Sequence, residues 1–286
     1  MRYLRLLVVF LLAVVLAILD NIDKPQPPVR RPIPQRTIEP APPPPPITIG
    51  EGLDPQSPSD PILEVEIDER RDVIGSAFPV HKTGYWMTAR HVVDGCDQVG
   101  IVTGRQRARL ASAVTIHASA DIALFSIPSQ TNRPWPVKMR MLHRGQKGFG
   151  FGYPGGEWAQ VHTLLLGRAR QRTVGRYRFV EPVLVWSVRN TYPPGIKSLG
   201  GISGGPMLDT SGAVIGVHSS SSHRRGRLMT VAPITLTNML GQIGLARTGA
   251  AKPPLDVSDL TEKRYMRFGS ELRTRKTVVK VICDVN

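Results

Sequence analysis

Hydrophobic positions fall into three regimes along the chain. Arg2 and Arg5 precede an uninterrupted apolar run from Leu6 to Leu19, and Asp20 and Asp23 follow at once. The run is shorter than the roughly 20 residues of a spanning helix and suits a signal-peptide core. Its small-residue cleavage pattern is poor, with Val15 and Ala17 the best pair. Residues 1–19 therefore read as a signal peptide or a retained membrane anchor. Positive charge before the run and negative charge after it place the body outside the cytoplasm in both cases. Proline then recurs through residues 20–61, unbroken from Pro42 to Pro46, with too few apolar residues for a core. Such a segment is an extended, stiff linker.

From Ile62 onward, short apolar runs alternate with Gly, Pro, Asp and Ser turns. The pattern predicts strands at Val73–Val80, Tyr85–Thr88, Gln98–Thr103, Ala111–His117 and Ile122–Ile127. A second series follows at Gln146–Gly152, Gln160–Leu166, Tyr177–Val188, Ala213–Ser219 and Leu228–Ala232. Many short strands at regular spacing predict an all-β sandwich or pair of barrels over residues 62–245. Thr235–Ile243 has helical character and closes that domain. Residues 246–286 read as a basic C-terminal extension with one strand-like end, Val278–Cys283.

Charge and cysteine content alter this picture only a little. The 37 Lys and Arg outnumber 22 Asp and Glu, for a formal net charge of +15. The excess fits anionic neighbours, a membrane surface or an envelope polymer, as well as simple solubility. Nucleic acid is not expected of an exported protein. Cys96 and Cys283 belong to no CxxC or Cys/His cluster, which argues against a metal site. In an oxidising compartment they either pair or remain separate thiols. No cofactor is called for.

Three local patterns carry chemistry. In Gly201-Ile202-Ser203-Gly204-Gly205-Pro206, glycines around a serine allow a tight backbone that presents N–H groups inward. The N–H groups of Gly201 and Ser203 are candidate donors to an oxyanion. In Thr88-Ala89-Arg90-His91, a histidine at the end of an apolar strand can turn its ring into a cleft. In Ala120-Asp121-Ile122-Ala123-Leu124, an acid opens an apolar strand, where burial demands a partner. Acyl transfer by serine needs these three functions: a hydroxyl, a proton acceptor and a carboxylate that orients it. Taken singly, each pattern also fits a glycine turn, a core histidine or a turn acid.

Together, in the order His91, Asp121, Ser203, the patterns resemble the chymotrypsin/trypsin-like serine peptidase family, and most of all its compact bacterial Deg-like and glutamyl endopeptidase-like members. The resemblance spans roughly residues 62–244. It implies two perpendicular six-stranded β-barrels with a C-terminal helix, an active site in the groove between them, and peptide-bond hydrolysis through an acyl-enzyme. Ile202 departs from the Asp or Asn that the family often carries before the nucleophile.

The resemblance also implies a specificity pocket. In glutamyl endopeptidases, a hydroxyl residue five before the nucleophile and a histidine fifteen after it recognise an acidic side chain. Ser198 and His218 stand at those offsets, followed by Ser219, Ser220 and Ser221. Ser219 also fits the family's serine that supports the catalytic aspartate. The expected partners are protein or peptide substrates. Arg168, Arg170, Arg172, Arg176 and Arg178 fall on even positions about a turn and predict a basic ladder on one strand face. Arg105, Arg107 and Arg109 predict a similar stripe. Both read as solvated faces or as docking surfaces for anionic headgroups or acidic polymers. The competing functional classes are a non-catalytic binding module on a peptidase scaffold and a tethered structural protein of the envelope.

Overall fold

The computed structural model describes Val14 and residues 49–67, 73–104, 107–127, 133–222, 225–245, 252–255, 257 and 260–285. Apart from Val14, segment 1–19 lies outside the described residues, as do most of the linker 20–61 and Arg105. No helix among the described residues is long and apolar enough to cross a membrane.

The described chain enters through β1 (Ile62–Ile67), β2 (Val73–Pro79) and β3 (Tyr85–Thr88), followed by a single helical turn, α1 (Arg90–Val93). Next come β4 (Gln98–Gly104), β5 (Arg107–Leu110), β6 (Ala113–Ile116) and β7 (Ala123–Ser126). The second half holds β8 (Lys147–Gly152), a 3-10 turn at Pro154–Gly156, β9 (Ala159–Gly175), β10 (Phe179–Tyr192), β11 (Pro206–Leu208), β12 (Val214–Ser222) and β13 (Arg227–Val231). Helices α2 (Pro233–Gln242) and α3 (Tyr265–Thr274) lead to β14 (Val279–Asp284).

Two seven-stranded sheets result. One runs β1-β9-β10-β13-β12-β11-β8, and β8 also pairs with β9. That pairing closes β8–β13 into a six-stranded barrel and leaves β1 outside it, parallel to β9 with Ile62 opposite Arg170. The other sheet runs β5-β4-β14-β2-β3-β7-β6. The two-barrel architecture implied by the motifs is present, with β1 added to the edge of one sheet and β14 inserted in the other.

The added strand of the first barrel revises the reading of residues 246–286 as an extension. β14 lies inside the sheet, pairing Val281 with Gly75 on one side and Ile101 on the other. Its alternate residues Val279, Val281 and Cys283 are buried, as a half-buried strand requires. Cys283 forms a disulfide with Cys96. Helix α3 places Phe268 edge-on to Trp135 and Phe151, and the Trp135 indole donates to the Thr277 carbonyl at 3.0 Å.

The interior divides into layers. Trp86, Val92, Phe125 and Val281 fill the first barrel, while Val161, Leu184, Trp186 and Ile215 fill the second. A third cluster, with Phe78, Leu124, Phe151, Leu236 and Phe268, joins residues of both barrels to α2 and α3. Burial of this apolar surface holds the two barrels at one fixed groove.

The basic ladder is engaged by the chain itself. Arg168 donates to the Asp54 carbonyl at 2.6 Å, Arg170 to the Pro58 carbonyl at 2.5 Å and Arg176 to the Asp94 carbonyl at 2.7 Å. These arginines fasten the segment before β1, and α1, to the β9–β10 hairpin.

Candidate active site

His91 lies on α1, one turn past the end of β3, rather than on the strand itself. Val92 and Val93 are buried and seat the turn on the first barrel. Arg90 fixes its other side. It pairs with Asp94 at 2.8 Å, donates to the His117 and Ala118 carbonyls, and stacks 4.3 Å from the centre of the Tyr177 ring on the opposite hairpin. The His91 ring is thereby held where the two barrels meet.

Asp121, 1% exposed, lies beneath it. The Nδ1–H of His91 donates to Oδ2 at 2.8 Å and lies 3.0 Å from Oδ1, and the His91 backbone N–H donates to Oδ1 at 3.0 Å. The Ser219 hydroxyl donates to Oδ2 at 2.7 Å. Burial pushes the Asp121 carboxyl up, but the His91 charge and these hydrogen bonds pull harder, and its pKa ends below the ordinary value. For His91, burial pulls the pKa down, while the charge and hydrogen bond of Asp121 raise it; the net shift is upward. With Nδ1 committed to Asp121, the neutral ring carries its lone pair on Nε2.

Ser203 sits in a turn that only glycine permits. Gly201 and Gly204 have φ of 101° and 86°, and a Cβ on Gly201 would lie 2.5 Å from the Tyr153 carbonyl oxygen. The turn is tied across the groove: the Ser76 N–H donates to the Ser203 carbonyl and the Ser76 hydroxyl to the Gly201 carbonyl, each at 2.8 Å. Ile202, 2% exposed, packs among Leu142, Val161 and Leu199, so burial of an apolar side chain anchors this loop. The Ser203 hydroxyl donates to the Ser219 carbonyl at 3.2 Å. Among the described residues, the N–H groups of Gly201 and Ser203 have no acceptor.

A cleft of about 760 Å³ brings His91, Gly201, Ser203, Ser219, Ser220 and Ser221 onto one surface, and its other wall includes Val65, Ile67, Val73 and Ile74. Two residues expected in the pocket are elsewhere. The exposed Ser198 accepts the Gly200 N–H at 3.1 Å within its own loop. His218 is fully buried, with its ring at the face of Gly150. Neither ring nitrogen has a hydrogen-bond partner, and burial lowers its pKa to about 3. The ring is neutral and offers no imidazolium to an acidic substrate. Register slips between His218 and Ser220, so counting residues from Ser203 does not tell which side chains face the cleft.

Other residues at the site were not legible as functional. Gln171 and Glu181, opposite one another on β9 and β10, are buried behind Asp121. Their signal was a polar residue on the face opposite the arginine ladder. Arg176 and Glu66 line the cleft through the hairpin and β1. Among the described residues, no His, Cys, Asp and Glu cluster could hold a metal.

A family model described as the trypsin-like peptidase domain matches residues 75–217. The chain belongs to that family. It is 27% identical over 184 residues to a protein of Halomonas elongata named as a DegP-like periplasmic serine endoprotease, covering 63% of this chain and 36% of that one. It is 30% identical over 151 residues to the chloroplastic protease Do-like 1 of Arabidopsis thaliana, covering 51% and 33%. The chain thus spans about a third of the length of these relatives. A serine protease of Mycobacterium tuberculosis, solved in its active form, superposes with a TM-score of 0.51 at 19% identity, over 72% of this chain and 99% of that one. This trypsin-like chain therefore shares their fold.

Proposed function

We propose that this chain is an exported serine endopeptidase that uses Ser203, His91 and Asp121. His91 Nε2 takes the Ser203 proton as the hydroxyl attacks a peptide carbonyl. Asp121 stabilises the imidazolium, and His91 returns the proton to the leaving amine. Water then repeats the cycle on the acyl-enzyme. The free N–H groups of Gly201 and Ser203 would receive the developing oxyanion. For that transfer the Ser203 hydroxyl must leave the Ser219 carbonyl, its acceptor in this structure, for His91. The observation that carries this reading is the hydrogen-bonded series Ser219–Asp121–His91 on the same cleft as Ser203.

Export is supported by the apolar run near the N-terminus, by a disulfide, and by relatives named as periplasmic. Cleavage beside an acidic side chain draws support from the Ser221 hydroxyl and from Arg176 on the cleft wall, in place of Ser198 and His218. A peptide library cut only after Lys or Arg would remove that specificity. The deciding experiment is labelling by a fluorophosphonate: the chain should label at Ser203 and Ser203→Ala should not. A folded but unlabelled chain would favour a binding module on a peptidase scaffold.

A further inference from the structure

The hairpin β9–β10 places Gln171 directly opposite Glu181. Both side chains are polar and almost wholly enclosed, at 0% and 1% exposure. Burial of such groups is unfavourable unless their hydrogen bonds are met; those of Gln171 are met at Ser219 and Ser220, whereas Glu181 uses only Oε1 and leaves Oε2 without a partner. Glu181 accepts the Asp121 backbone N–H at 2.9 Å. Gln171 acts one bond further out: its Nε2 donates to the Ser219 hydroxyl oxygen at 3.2 Å, and that hydroxyl donates to Asp121 Oδ2. The Gln171 Oε1 in turn accepts the Ser220 hydroxyl at 2.7 Å, and Ser220 stands in the cleft wall.

A serine hydroxyl has one proton to give. An N–H facing its oxygen cannot take that proton, so the proton is left to Asp121. The Ser220 hydroxyl donates to Oε1 and the Thr173 hydroxyl accepts from Nε2, both in keeping with an amide that turns its Nε2 to Ser219. We infer that Gln171 is a positioning residue for the triad, committing the Ser219 proton to Asp121 and tying that bond to Ser220 in the substrate cleft. The inference rests on the triad reading above and deepens it.

The test exchanges the donor for an acceptor of the same shape. Gln171→Glu and Gln171→Leu are made in full-length Ser203→Ala, and the His91 imidazole is titrated by NMR, its signals assigned with His91→Gln. The titratable and charged groups facing that ring are Asp121, Arg90 and Asp94 on its own turn, Arg176 and Glu66 across the cleft, and Glu181 behind Asp121. Burial and the Asp121 charge push the Glu181 carboxyl well above the usual carboxylate range. When Asp121 loses the Ser219 proton, its charge acts more fully on His91. The titration should move upward by about one unit in Gln171→Glu, and by less in Gln171→Leu. In the Ser203 protein the acid limb of kcat/KM should move by the same amount, with kcat falling more than KM rises. Gln171→Leu added to Ser219→Ala should have no further effect. An unmoved His91 titration in folded Gln171→Leu overturns the inference, as does full additivity with Ser219→Ala. Gln171→Leu buries no charge and serves if Gln171→Glu fails to fold. The titration needs no turnover, so absent peptide hydrolysis with a shifted His91 would sink the peptidase reading and leave this one standing.

Discussion

Cys283 on the last strand is bonded to Cys96, which follows closely on the helical turn that carries His91. Strand β14 thus supports the barrel that carries His91. The bridge spans a sequence separation of 187 residues, and closing so long a loop restricts the unfolded chain strongly. Reduction, or Cys96→Ala with Cys283→Ala, should lower stability by about 2 to 5 kcal/mol. A denaturant midpoint measured with and without reductant checks this. Deleting residues 279–286 should be more severe, since it strips β2 and β4 of their shared neighbour.

Asp121→Asn should keep the fold and lose most of the activity. An amide in place of the carboxylate no longer holds the His91 tautomer or stabilises its charged form, and kcat should fall about 10⁴-fold. Single-turnover acylation with an activated ester measures the loss directly. A drop of less than tenfold would remove Asp121 from the triad.

The pH profile should reflect the raised pKa of His91. The ring accepts a proton only when neutral, so the acid limb of kcat/KM should lie above the ordinary imidazole value of about 6.5. Asp121, held below its ordinary range, stays ionised throughout that window. The folded-state pKa of His91 exceeds the unfolded one. Its contribution to stability is therefore full below about pH 6.5 and fades as pH rises through the folded value. An inflection below the ordinary value, measured on a small peptide substrate, would contradict the geometry.

His218 predicts the opposite trend. Its folded pKa of about 3 lies below the unfolded value, so acidification protonates the unfolded chain first. Between about pH 6.5 and 3 this residue should remove stability by about 1.4 kcal/mol per pH unit. His218→Leu should flatten that part of the urea-midpoint profile. Identical slopes in the two proteins would show that the ring is not buried as neutral imidazole.

Local order determined much of this protein. Alternating apolar runs marked most strands of both barrels, and the glycines about Ser203 foretold a tight turn, which the structure shows to have positive φ at Gly201 and Gly204. His91, Asp121 and Ser203 were singled out because each stands in a short motif whose backbone demands are local. Only the tertiary structure decided which strand lies beside which. Period-two patterning states the face a residue occupies and leaves its neighbour open. That is why Val278–Cys283 could be read as a strand while its place between β2 and β4 stayed hidden, and why the pairing of Cys96 with Cys283 stayed one of two alternatives. The same reason separates Gln171 and Glu181 from the residues found early: their roles depend on hydrogen bonds to groups distant in sequence. Ser198 and His218 were placed by counting along the chain, but their burial and direction follow from packing and from a slipped register.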